Sequence, residues 1–135
     1  MKASKILLLF FVAIGLIDSV YLTIVHYTNL PLYCPETTTI NCVGVTTSAF
    51  SQVAGIPIAL GGVIWFAVFG VLVLALPKIK VLRNIWFILA VGAVAYSLVG
   101  QGILGEICVY CDLLDLMLAL SVIVGLRYSA EIFPS

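Results

Sequence analysis

Four stretches of this chain are each apolar enough and long enough to cross a lipid bilayer as a helix, and that constrains the fold more than any other feature. A crossing takes about 20 residues, at ~1.5 Å per residue, for a hydrocarbon core of ~30 Å. Windows of this kind cover residues 6–27, 55–76, 82–104 and 107–126. Apolar residues make up 64% of the sequence and charged residues only 9%, with a mean hydropathy of +1.29. Globular proteins have about 45–50% apolar and ~25% charged residues. Six Lys and Arg balance six Asp and Glu, too few charges for a soluble enzyme, a basic nucleic-acid-binding face or a disordered chain. The expected architecture is an all-α integral membrane four-helix bundle, one domain over residues 1–135.

The basic residues are Lys2, Lys5, Lys78, Lys80, Arg83 and Arg127. They fall in the N-terminus, the turn between spans two and three, and the C-terminus, which share one face of a four-span protein. The 28–54 segment and the turn around Gly105 carry no Lys or Arg, so the positive-inside rule puts both termini in the cytoplasm. Lys2 and Lys5 ahead of an apolar run also suggest the start of a signal peptide. That run is long for a signal core and no small-x-small cleavage site follows it, so it is read as a span. Short turns near Pro77 and Gly105 make spans two, three and four antiparallel neighbours. The 28–54 loop is long, and such loops in compact folds are usually functional.

Cys34, Cys42, Cys108 and Cys111 all map to or near the non-cytoplasmic face, where the compartment permits disulfide chemistry. Cys108-Val109-Tyr110-Cys111 is a C-x-x-C at the expected start of the last helix. Unpaired N–H groups and the positive end of the helix dipole stabilise a thiolate there. Positions i and i+3 share a helix face, so the pair can open and close by thiol–disulfide exchange. Cys34 and Cys42, on the loop, can reach outward to a partner and inward to Cys108. Two other readings stay open at this point. One is an all-cysteine zinc site, although only one pair has the close spacing such sites use. The other is two static disulfides holding the loop to the bundle.

With these residues in place, the sequence resembles the vitamin K epoxide reductase family, including its prokaryotic members. That family is a four-helix membrane bundle with two loop cysteines, a Ser or Thr soon after the second, and a C-x-x-C opening the last helix. Cys34 and Cys42, Ser48, and Cys108 with Cys111 match those positions. Tyr21-Leu22 followed by His26, and Gly55-Ile56-Pro57, point the same way. The resemblance implies oxidation of protein thiols coupled to reduction of a quinone of the ubiquinone, menaquinone or vitamin K type. In the implied scheme Cys34 exchanges with a thioredoxin-like protein, Cys42 passes electrons to Cys108, and Cys111 faces the quinone. Animal members carry a Tyr four residues after the second helical cysteine, to hold the quinone head group. Asp115 stands there in this chain.

Asp18, Asp112 and Asp115 fall within or at the edge of spans, where an ionised carboxylate costs at least ~2.5–3.5 kcal/mol at the helix centre. Cys108, Cys111, Asp112 and Asp115 follow a three-four spacing and form one stripe of the last helix. Quinone reduction needs protons in a dry place, which makes Asp115, then Asp112, candidates to hydrogen-bond a quinone carbonyl or handle protons. Asp18 lies at a depth similar to Asp115. Tyr21, Trp65, Trp86 and Tyr96 read as lipid-facing, packing or interfacial belt residues. Gly61, Gly62 and Gly70 read as small residues that let helices approach.

The leading expectation is a quinone-linked thiol oxidase at the plasma membrane of a prokaryote. The extracytoplasmic loop cysteines would serve a thioredoxin-like partner, with no nucleic-acid partner and no metal. Reduction of vitamin K epoxide itself is the nearest alternative. A small proton- or cation-coupled transporter built around Asp18, with structural disulfides, is the alternative from another class.

Overall fold

The structure is a computed structural model that describes residues 3–28, 52–53 and 56–133. In chain order the elements are α1 (Ala3–Thr28), β1 (Gln52–Val53), β2 (Ile56–Pro57), α2 (Ile58–Leu74), α3 (Lys80–Leu104), α4 (Val109–Arg127) and α5 (Ser129–Ile132). Helices α1, α3 and α4 are long and apolar enough to cross a membrane, so the expected all-α membrane bundle holds. Helix α2 is shorter than its apolar window, at 17 residues. Its start is set by Pro57, the N-cap, at φ −66° and ψ 139°. The pyrrolidine ring fixes that φ, and the missing N–H has no helical use. The chain therefore enters α2 from an extended Ile56–Pro57 pair, antiparallel to Gln52–Val53. Pro77 bars the residue before it from helical geometry, so α2 ends short of it.

Helix α1 lies between α2 and α4, and α3 packs chiefly against α4. The reason is a stripe of residues on α1, Ser4, Leu8, Val12, Gly15, Asp18, Ser19 and Leu22, that recurs every three or four positions and is buried. That is the period of one helix face. Ile6, Phe10, Ile17 and Ile24 on the opposite face are exposed, as a helix bordered by lipid requires. Close approach of α1 and α2 depends on Gly15. A Cβ there would collide with the Phe66 ring, which is fully buried. Gly62 makes a second close approach, its would-be Cβ 2.7 Å from Ser19 Oγ, whereas Gly61 faces open space.

Aromatic packing closes one end. Trp65 stacks on Phe69 with ring centroids 4.7 Å apart, and Phe133 joins Phe87 edge-on at 6.2 Å. Trp65 Nε1 donates to the Trp86 carbonyl at 2.9 Å and Trp86 Nε1 donates back to the Trp65 carbonyl at 3.0 Å. These indoles join α2 to α3, so of the readings given by sequence it is packing that applies to Trp65. Ser4 Oγ donates to Glu131 Oε2 at 2.8 Å, and Arg83 lies over the Phe133 ring at 5.3 Å. The starts of α1 and α3 and the short α5 thus share one end, the basic end of the molecule.

Candidate functional site

The opposite end is organised by the turn between α3 and α4. Gly105 adopts φ 68°, a left-handed conformation that only glycine takes without a Cβ penalty. The Gln101 carbonyl accepts from the Gly105 N–H at 2.9 Å and the Glu106 N–H at 3.3 Å. This reversal delivers Cys108 to the N-cap of α4 in extended geometry. Its Sγ accepts the Cys111 N–H at 3.2 Å, taking the part that a Ser, Thr or Asp oxygen usually plays at an N-cap. Both thiols are free; Cys108 is buried and Cys111 half-buried. The sulfur that caps the helix is the one placed to gain from its positive end.

A polar chain runs along the inner face of α3 beside this pair. Gln101 Oε1 accepts the Cys108 N–H at 2.8 Å, while Gln101 Nε2 donates to Asp112 Oδ1 at 2.8 Å. The same nitrogen is 3.4 Å from Ser97 Oγ, and Ser97 Oγ donates to Asp115 Oδ2 at 2.7 Å. Cys108, Asp112 and Asp115, one stripe of α4 as expected, are therefore joined through Ser97 and Gln101. The sequence reading passed over those two residues. A signal was present: both are polar and lie inside an apolar span, the ground on which Asp112 and Asp115 were singled out.

From the other side, α1 contributes Asp18, which is buried with no hydrogen-bond partner for Oδ2 among the described residues. Asp18 and Asp115 both lie within electrostatic reach of Cys111. The depth argument thus brings α1 and α4 carboxyls to one cysteine. Tyr21 meets Tyr110, inside the C-x-x-C, with ring centroids 5.3 Å apart, and the two side chains hydrogen-bond. Cys34, Cys42 and Ser48 lie outside the described residues.

An open cleft of about 400 Å³ adjoins the pair, lined by Leu98, Gln101, Gly102, Gly105, Glu106, Ile107 and Asp112. Its walls are mostly apolar, with Gln101, Glu106 and Asp112 as the polar side chains. A model of the vitamin K epoxide reductase family matches residues 6–126. The chain belongs to this family. Comparison with curated proteins and with solved structures returned no match. As a vitamin K epoxide reductase family protein it is a multi-pass membrane oxidoreductase, with the disulfide and quinone chemistry of that family.

Proposed function

We propose that this protein is a quinone-linked thiol oxidase that makes disulfides for a thioredoxin-like partner. The observation that carries the reading is the capped C-x-x-C: a buried sulfur at a helix N-terminus, hydrogen-bonded by its partner cysteine, beside carboxyl groups and an apolar cleft. Cys34 exchanges with the reduced partner, which leaves oxidised. Cys42 passes the electron pair to the sulfur of Cys108, and Cys111 faces the quinone. Asp112 at the cleft holds the head group, with Ser48 assigned to the same pocket by its family position. Asp115, fixed by Ser97, handles protons. Quinone supplies a two-electron, two-proton acceptor when bound and departs as quinol. The protein sits in the plasma membrane of a prokaryote, with both termini cytoplasmic and the loop cysteines outside.

The partner step has a direct test. With Cys42→Ala, the sulfur that would release the partner from Cys34 is gone, so the reduced variant is incubated with the oxidised form of a thioredoxin-like protein: Cys34 bonds to one sulfur of the partner's disulfide, the other leaves as a thiol, and a covalent complex accumulates on a non-reducing gel. Cys34→Ala forms none. Equal trapping by both variants, or by neither, contradicts the assignment.

A further inference from the structure

Neither helix packing nor electron transfer accounts for Gln101. It is 7% exposed, and each polar atom of its carboxamide is committed. Oε1 holds the backbone N–H of Cys108, and Nε2 holds Oδ1 of Asp112, both at 2.8 Å. Its own carbonyl closes the Gly105 turn that leads into the cysteine. Asp112 lies in the first turn of α4, so its carboxylate and a Cys108 thiolate draw on the same helix dipole. The two charges also repel each other, since Asp112 lies within electrostatic reach of Cys108. A donor aimed at Oδ1 offsets that repulsion where water is scarce, because charge-assisted hydrogen bonds are the strong ones.

We propose that Gln101, anchored on the Cys108 N–H, is a positioning residue for the Asp112 carboxylate beside the helical cysteine pair, and that by drawing off that charge it sets the pair's dithiol–disulfide equilibrium. The inference rests on Cys108 and Cys111 being the redox pair of the proposed relay. Among the described residues, the other titratable groups around the pair are Tyr110 and Asp115 on α4, Asp18 and Tyr21 on α1, and Glu106 in the turn before Cys108. None of them is altered by the substitutions below.

The test uses the full-length chain with Cys34→Ala and Cys42→Ala, equilibrated in glutathione buffers so that only the helical pair reacts. The two thiols give up two electrons and two protons to form one S–S bond, and one glutathione disulfide becomes two glutathione thiols. Gln101→Leu shifts the equilibrium toward the disulfide by about tenfold, the effect of roughly one unit of thiol acidity, or about 30 mV for a two-electron couple. Gln101→Glu keeps an acceptor for the Cys108 N–H but repels Asp112, and shifts it the same way at least as far. Adding Asp112→Asn brings either variant to within about twofold of Asp112→Asn alone, the margin for uncoupled sites. A role confined to helix packing lowers thermal stability but leaves these constants in place. Unchanged constants in folded Gln101→Leu and Gln101→Glu overturn the inference, as does a shift that survives Asp112→Asn. Should Gln101→Leu and Gln101→Glu not fold, Gln101→Asn, one methylene too short to reach both partners, takes their place: a shift toward the disulfide that Asp112→Asn removes supports the inference and an unchanged constant overturns it. A pair that forms no reversible disulfide in the parent chain overturns both this inference and the relay, whereas reversible disulfides with invariant constants remove this inference only.

Discussion

Asp115 is held by Ser97 at 2.7 Å and lies within electrostatic reach of Cys111, so its carboxyl is fixed in place next to the sulfur assigned to the quinone. General acid–base groups contribute about 10²–10⁴-fold to rate. Asp115→Asn is therefore expected to lower quinol formation by about 100-fold at the low end of that range, with the fold intact, in a steady-state assay with soluble quinone. A wild-type rate and affinity would remove Asp115 from the chemistry. At this scale the sequence disclosed the chemistry-bearing residues because their types are rare in lipid: a cysteine pair at helical spacing, and carboxylates inside apolar runs. It did not disclose Ser97 and Gln101. Their importance lies in what α3 turns toward α4, and the rotation of one helix against another is set by packing, not by either helix's own composition.

Among the elements, α1 carries the most packing, and its approach to α2 turns on two glycines, Gly15 the tighter. Gly15→Ala places a methyl where the Phe66 ring already lies. Overpacking a filled core costs about 1–3 kcal/mol, read as a lower unfolding temperature in detergent. Phe66→Leu in the same chain recovers part of it, because the two positions share one space. Additive losses would show that the contact is not the cause. The helices were legible as long apolar windows, whereas their ends were not: Pro57 shortens α2 by imposing an extended entry, a local rule that outweighs hydropathy. Sequence pointed to Gly61, Gly62 and Gly70 as residues of close approach, and a Cβ at Gly70 would meet only ordinary contact with Val12. Only Gly62 makes one, and Gly15 on the facing helix was missed because its partner, Phe66, is distant in sequence.

Across the whole molecule, two ends with different chemistry are separated by an apolar middle. One end gathers Lys5, Lys78, Lys80, Arg83 and Arg127 with the aromatic cluster around Phe133, and the other gathers the C-x-x-C, the α3 polar chain and the cleft. If the basic end is cytoplasmic, Lys78→Cys in a chain lacking the four native cysteines is shielded in intact cells from a membrane-impermeant maleimide. Restoring Cys34 alone instead makes the chain reactive. The reverse pattern would invert the topology. A molecule of this polarity carries electrons from one aqueous side into the bilayer without needing to move charge across it, provided the helical pair hands them to quinone.

That proviso is the central claim, and one anaerobic experiment addresses it. The purified protein is fully reduced, given one equivalent of a soluble quinone, and assayed for free thiols lost and quinol formed. The account predicts two thiols lost per quinol, the stoichiometry of a two-electron couple, and no quinol with Cys111→Ala. Quinol no higher than in a chain lacking all four cysteines would contradict it.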